Sequence, residues 1–140
     1  MTIHNESAQA VARPDWLSTD VYPFQLRRLD LPSGPVTYVD EGEGPVLLFV
    51  HAGLWSFIFR DVIAGLSDRF RCITLDFPGF GLSPDQSNEP SLPELSCTLG
   101  EFVTQLGLDD ITIVAHDLGG LAAIGWAATE PERIRAFVMA

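Results

Sequence analysis

The sequence contains no lysine, and arginine supplies all eight of its basic side chains. Without lysine there can be no phosphate-binding loop of the kind whose lysine reaches the terminal phosphates of a nucleotide. The same absence weighs against a phospho-acceptor receiver domain, which has a similar order of strands and helices but needs a lysine. Both classes of α/β protein are therefore disfavoured.

Cysteine and long apolar runs are also scarce. Cys72 falls in a predicted strand and Cys97 in a predicted helix, and we predict two buried free thiols rather than a disulfide or a metal-binding pair. No apolar run is long enough to span a bilayer, and residues 1–10 lack the apolar core of a signal peptide. These features favour a cytoplasmic protein without membrane contact.

Positive charge is in the minority, with 8 basic against 19 acidic side chains and a formal net charge of -11. This charge repels the phosphates of nucleic acids and of anionic lipids, so neither is an expected partner. The 140 residues are 46% hydrophobic, which is enough for one domain with a core of its own.

The order of predicted elements is that of an open α/β sheet. Residues 1–20 are predicted to form a peripheral arm and residues 21–140 the core domain. We expect a mostly parallel sheet with helices on both faces, preceded by an antiparallel hairpin. The predicted strands are Phe24–Leu31, Val36–Val39, Val46–Val50, Cys72–Leu75, Ile111–Val114 and Ile134–Ala140.

Helical spacing of apolar residues predicts three helices between these strands. The first covers Trp55–Leu66, and the third covers Leu118–Thr129. The second should begin with a capping box formed by Ser91 and Glu94 and end at Gly107.

Asp117 follows the strand Ile111–Val114 directly and precedes a helix of small residues. This pattern is typical of a nucleophile elbow, a sharp strand-to-helix turn that pushes one side chain outward. An aspartate is ionised at neutral pH and can attack a saturated carbon without a base, forming an ester. We predict that Asp117 is the nucleophile; the alternative is that it only caps the helix.

Backbone N–H groups near Asp117 would stabilise the oxyanion that forms when water attacks this ester. One should come from Leu118 and a second from Gly53 or Leu54, in the loop after the third strand. His51 and Trp55 are candidate pocket residues in the same region. For His51 we favour a role in shaping its turn through hydrogen bonds over a direct role in catalysis, and for Trp55 we favour packing first and pocket lining second.

Two further groups in these loops are assigned structural roles. Asp76 also ends a strand, but Pro78, Gly79 and Gly81 follow it, so we expect it to accept backbone hydrogen bonds in a turn. His116 precedes Asp117 and is expected to point away from it.

Together these motifs resemble the N-terminal half of an α/β-hydrolase, and are most similar to those of haloalkane dehalogenases and epoxide hydrolases. Tyr38–Gly42 resembles the second strand and turn of these enzymes, and Leu54–Arg60 resembles the segment after their oxyanion loop. Asp76–Ser83 matches a motif found across the superfamily, and Ala115–Gly120 carries its aspartate subtype. The resemblance covers residues 24–140.

The resemblance implies hydrolysis of a small apolar electrophile, an alkyl halide or an epoxide, through an alkyl-enzyme ester. It implies no metal and no organic cofactor. A serine-type esterase is disfavoured because Ser56 and Ser83 lack the elbow context.

The chain departs from the dehalogenase pattern at the residues that hold the leaving halide. Leu118 stands where these enzymes have tryptophan, and Gly53 and Leu54 stand where they have asparagine or glutamate. Ala52 replaces a glycine of the epoxide hydrolase loop, and the proline of that loop is missing. The two names therefore do not assign a substrate.

The family continues through a lid to a catalytic acid and a histidine, neither of which has a counterpart in this chain. His4 lies in the arm, and its position does not suggest that it replaces the catalytic histidine. We therefore expect a fragment that is inactive in turnover. The alternative is a non-catalytic binding module, in which the open strand Ile134–Ala140 pairs with itself or with a partner.

Overall fold

The computed structural model describes residues 8–140, which form one seven-stranded sheet. The strands are β1 (Gln9–Ala10), β2 (Arg27–Leu31), β3 (Gly34–Glu41), β4 (Val46–Ala52), β5 (Arg71–Asp76), β6 (Ile111–Asp117) and β7 (Ile134–Met139). The helices are α1 (Arg60–Leu66), α2 (Leu92–Leu106) and α3 (Leu118–Ala127), with 3-10 segments at Ser56–Phe59 and Pro131–Arg133.

The spatial order of the strands is β1-β2-β3-β5-β4-β6-β7. β2 and β3 form the predicted antiparallel hairpin, and β3 also pairs antiparallel with β5. From β5 onward every pair is parallel, since β4 pairs with both β5 and β6, and β6 pairs with β7. The fold class predicted from the sequence is confirmed.

Apolar clusters on the two faces of the sheet explain why the middle strands lack alternation. One cluster joins the sheet to α2 and α3 and includes Phe102 and Trp126. The other joins it to the first 3-10 segment and α1 and includes Phe59 and Ile63. Because β4 and β5 are covered on both faces, nearly all of their side chains are buried.

The described part of the predicted arm packs onto this core. Gln9–Ala10 pairs with β2, and the side chain of Leu17 is 3% exposed. His4 lies outside the described residues.

The predicted capping box of α2 is confirmed. The Ser91 hydroxyl accepts from the Glu94 N–H, and the Glu94 carboxylate accepts from the Ser91 N–H. The helix ends at Gly107, whose φ of 63° lies in the left-handed region.

The prediction of two buried thiols is correct for Cys72 and wrong for Cys97. Burial raises the pKa of the Cys72 thiol to about 11, so this group is inert at neutral pH. Cys97 lies on the exposed side of α2, where its Sγ is 3.6 Å from Glu101 Oε1. Both thiols are free.

No helix formed by residues 8–140 is long and apolar enough to cross a membrane.

Replacing Ser91 with alanine should lower the free energy of unfolding by about 1 kcal/mol, because the Glu94 N–H at the start of α2 loses the hydroxyl that accepts its hydrogen bond. Urea unfolding followed by circular dichroism measures this. Ser87→Ala, in the exposed loop before α2, is the control and should change the free energy by less than about 0.5 kcal/mol. Equal effects of the two substitutions would contradict the assigned role of the cap.

Candidate active site at the turn between β6 and α3

Asp117 lies at the turn from β6 into α3 and has φ 54° and ψ -134°. Positive φ is costly for a residue with a Cβ, and such strain is concentrated at functional turns. The carboxylate is exposed and makes no hydrogen bond to the first turn of α3. The side chain is therefore held outward at the carboxyl end of the strand, and it does not serve as a helix cap.

Close packing of α3 on the sheet requires the small residues that follow Asp117. A Cβ added at Gly119 would lie 2.5 Å from the carbonyl oxygen of Val50 and 2.6 Å from the Cα of His51. A Cβ at Gly120 would lie 2.5 Å from Met139 Sδ. Glycine at these positions allows α3 to begin directly against β4 and β7.

The parallel register of β4 and β6 brings the two predicted site segments together. His51 is the Cα partner of His116, and Ala52 is the partner of Asp117. Gly53 follows with φ 95°, and a Cβ built on it would meet only Leu118 Cδ1, at 3.9 Å. The loop after β4 therefore faces the beginning of α3.

The two leucines of this region give it an apolar rim. The Leu54 side chain is 56% exposed and that of Leu118 is 44% exposed. The N–H of Leu54 donates to His51 Nδ1 at 3.3 Å. Of the two predicted donors in this loop, Gly53 is therefore the one whose N–H the histidine does not engage.

His51 is almost fully buried at 3% exposure, and its ring stacks on that of His116 with centroids 5.1 Å apart. Burial lowers the pKa of His51 below its ordinary value. The neighbouring His116 lowers this pKa further, against an opposing effect of Asp117. Nδ1 accepts a hydrogen bond, whereas the buried Nε2 has no partner among the described residues.

The expectation that His116 points away from Asp117 is wrong. A nitrogen of His116, a nitrogen of His51 and an oxygen of Asp117 all lie within 4.8 Å of one another. Side chains alternate between the two faces of a strand only while the backbone stays extended. The positive φ of Asp117 ends this alternation, so consecutive side chains share one region.

Two imidazoles and a carboxylate are ligands that suit a transition metal such as Zn²⁺. The two rings are nearly parallel, with an interplanar angle of 17°. Their in-plane lone pairs therefore point along neighbouring planes and do not converge on one point. This orientation does not favour an ion shared by the three groups.

Asp76 holds the loop after β4 to the loop after β5. Its carboxylate accepts from the Ser56 N–H at 2.7 Å and from the Leu82 N–H at 2.9 Å, which confirms the turn role predicted for it. Burial raises the pKa of Asp76, while these hydrogen bonds lower it. The Ser56 hydroxyl also pairs with the Tyr22 hydroxyl at 2.7 Å. The sequence gives no signal for this last pair, because its members are 34 residues apart.

Trp55 lies in an aromatic cluster beside this loop. Its ring stacks on Phe57 at 4.9 Å and contacts Trp16 edge-on at 6.0 Å. These contacts favour the packing role of Trp55 over a place in the pocket.

A surface groove of about 840 Å³ lies between α2 and α3, and Trp126 and Cys97 line it. Asp117 is not among its lining residues. This groove is therefore separate from the candidate site at Asp117.

Comparison with known proteins supports the same fold. The family described as alpha/beta hydrolase fold matches residues 45–140. Haloalkane dehalogenase 2 of Mycobacterium tuberculosis is 41% identical over 121 residues, which are 85% of this chain and 42% of that protein. The cis-3-alkyl-4-alkyloxetan-2-one decarboxylase of Xanthomonas campestris is 34% identical over 131 residues, covering 84% of this chain and 44% of that protein.

Among solved structures, an epoxide hydrolase from Vigna radiata superposes with a TM-score of 0.75 at 26% identity. The match covers 88% of this chain and 39% of that chain. The chain thus spans about two fifths of the length of the proteins it resembles.

Gly119→Ala should lower the free energy of unfolding by about 1–3 kcal/mol, because the added methyl group meets the backbone of β4. Gly65→Ala in α1 is the matched control, since no atom lies within 4 Å of its Cβ position. This control should be neutral or stabilising by up to about 1 kcal/mol. Chemical denaturation of both variants makes the comparison, and similar free energies would contradict the close approach.

Proposed function

Because the chain belongs to the alpha/beta hydrolase fold family, we propose that it carries the nucleophile of a hydrolase that works through an alkyl-enzyme ester. The nucleophile is Asp117. The observation that carries this proposal is the strained turn that holds an uncapped, exposed carboxylate at the carboxyl end of β6. Relatives named as dehalogenases and epoxide hydrolases agree with a hydrolase of this family.

In the first step, an Asp117 oxygen forms a bond to a saturated carbon of the substrate. The bond from that carbon to its halide or epoxide oxygen breaks, and the leaving group takes the electron pair. The exposed side chains of Leu54 and Leu118 favour a small apolar electrophile. The Leu118 side chain has no hydrogen-bond donor for a leaving halide, so the choice between an alkyl halide and an epoxide stays open to experiment.

In the second step, water attacks the ester carbonyl and an oxyanion develops there. The N–H groups of Leu118, at the start of α3, and of Gly53, in the facing loop, are proposed as its donors. One such donor typically lowers the barrier by about 2.7–4 kcal/mol.

The base that activates this water is proposed to come from outside the segment. The Nδ1 atom of His51 is already engaged by the Leu54 N–H. His116 lies near Asp117, but its ring contact is the stack on His51, and no acidic side chain among residues 8–140 is hydrogen-bonded to it. A catalytic base normally needs such an orienting partner. The 140-residue chain alone should therefore form the ester without turnover.

Exposure of the purified chain to a 1-bromoalkane or, separately, to a 1,2-epoxyalkane should add one alkyl group at Asp117. Intact-mass and peptide mass spectrometry would locate it. Asp117→Asn should abolish the addition, because a neutral amide is a poor nucleophile.

Asp85→Asn is the control for this experiment, since Asp85 is an exposed aspartate in the loop after β5. This variant should be alkylated like the unmodified chain. Equal labelling of the Asp117 variant, or steady release of halide or diol over many turnovers, would contradict the proposal.

A second candidate function, self-association, is favoured by the outer edge of β7. Phe137, Val138 and Met139 are 36%, 47% and 53% exposed, and β7 pairs only with β6 in the described sheet. The segment 134–140 contains no acidic residue, although the chain carries a net charge of -11. The one charged side chain of this segment, Arg135, pairs with Asp110 Oδ2 at 3.1 Å. A largely apolar strand edge is suited to pairing with a second strand.

Val138→Lys should therefore shift the chain toward a monomer of 15.3 kDa in size-exclusion chromatography with light scattering. Lysine disfavours edge pairing because its charge would lose water. Val62→Lys on α1 is a matched control, because Val62 and Val138 are both 47% exposed. A monomeric unmodified chain, or the same mass for both variants, would count against this candidate.

A further inference from the structure

His51 is the one histidine of the site whose ring is almost fully buried, and its two nitrogens have different surroundings. Nδ1 accepts the N–H of Leu54 at 3.3 Å. Nε2 is buried and has no partner among residues 8–140. A neutral imidazole that accepts at one nitrogen carries its proton on the other. The structure thus assigns the proton of neutral His51 to Nε2.

We propose that His51 is a positioning residue, which in its neutral form holds the loop Gly53–Trp55 so that the Gly53 N–H stays opposite Asp117. This inference rests on the proposed function, because the loop supplies an oxyanion donor only if an ester forms at Asp117. His51 itself does not touch the reacting atoms. It acts through the hydrogen bond from Leu54 to its Nδ1.

Ring contacts hold Trp55 at the end of this loop, whereas Gly53 and Leu54 depend more on hydrogen bonds. Leu54 is tethered to His51, and two residues later the Ser56 N–H is bound by Asp76 Oδ1 at 2.7 Å. Between β4 and the second tether, the Leu54 side chain is more than half exposed. The Cβ position of Gly53 has one neighbour within 4 Å, Leu118 Cδ1. The His51 acceptor is therefore the main constraint on Gly53 and Leu54, between β4 and the packed ring of Trp55.

The position of the His51 ring itself is well determined. β4 places it beside His116, and the two rings stack at 5.1 Å. The ring of Phe59 from the 3-10 segment approaches it edge-on at 6.4 Å. The titratable groups that face it are His116 and Asp117, both from β6 and its turn into α3.

Protonation of His51 would break the tether, since an N–H at Nδ1 would then face the N–H of Leu54. The surroundings oppose this protonation, because burial and His116 lower the pKa of His51 by more than Asp117 raises it. The tether should therefore persist at neutral pH and open only in acid.

Three substitutions of His51 test this role, because they keep a polar atom near Nδ1, near Nε2, or at neither position. Asparagine places its amide oxygen near the Nδ1 position, glutamine places its amide near Nε2, and phenylalanine keeps only the ring. Each variant is alkylated at Asp117 with the 1-bromoalkane, and the ester is then cleaved with hydroxylamine. The amine attacks the Asp117 carbonyl, an oxyanion forms, and the alcohol leaves to give a hydroxamate.

We expect His51→Asn to cleave at a rate within about threefold of the unmodified chain. His51→Gln and His51→Phe should be slower by roughly tenfold or more, because the oxyanion donor is no longer held in place. The first alkylation step should change little in all three variants, since it develops no oxyanion. Retained cleavage in the glutamine variant with loss in the asparagine variant would overturn the assignment to Nδ1, as would equal loss in all three.

A second readout does not depend on the ester. The Leu54 amide should be protected from hydrogen exchange in the unmodified chain and in His51→Asn, and exposed in His51→Gln. In the unmodified chain this protection should be lost in acid as His51 takes up a proton, whereas His51→Asn should keep it. Absence of protection in the unmodified chain at neutral pH would refute the tether. If no ester forms but the protection pattern holds, the proposed function fails and the tether stands.

The same titration predicts how stability depends on pH. The pKa of His51 is lowered in the folded chain, so the unfolded chain binds more protons as pH falls through its own value of about 6.5. The part of the stability that comes from neutral His51 is therefore present above this pH and declines below it. His51→Asn should remove this part of the pH dependence.

Discussion

The site depends on the parallel pairing of β4 with β6. This register places His51 beside His116 and Ala52 beside Asp117, so two segments about 65 residues apart in sequence end at the same edge. Gly119 allows α3 to rest directly on the backbone of β4 at Val50 and His51. A larger residue at this position would move both the start of α3 and the carboxylate that precedes it. The position of the Asp117 carboxylate thus depends on how closely α3 approaches β4.

Buried polar groups complete this arrangement by fixing the loops that backbone pairing leaves free. Asp76 binds the N–H groups of Ser56 and Leu82, and so joins the loops after β4 and β5. His51 has a similar effect on the loop after β4, because it accepts the N–H of Leu54, two residues before Ser56. Such groups are costly to bury without partners, so their hydrogen bonds restrict each loop to a narrow range of conformations. An oxyanion donor must be held in this way if it is to stabilise a transition state.

Family membership and substrate are separate questions for this chain. The relatives that match over a similar share of the chain include a dehalogenase and a protein named as a decarboxylase, so the shared fold serves more than one reaction. In the proposed reaction, specificity would come from the side chains around Asp117. In this chain the nearest ones, Leu54 and Leu118, are apolar and exposed. They are compatible with the apolar electrophile proposed above and do not select a leaving group.

The sequence alone determined the features that depend on local pattern. Apolar runs predicted the strands of the parallel sheet, and Ser91 with Glu94 predicted the start of α2. The small residues after Asp117 predicted the sharp turn, because close packing there admits little else. Tertiary structure decided the features that depend on which distant residues meet. These include the turn of His116 toward Asp117 and the Tyr22–Ser56 pair. Sequence spacing predicts which way a side chain points only while the backbone is regular, and these residues lie where regular backbone ends or where separate segments come together.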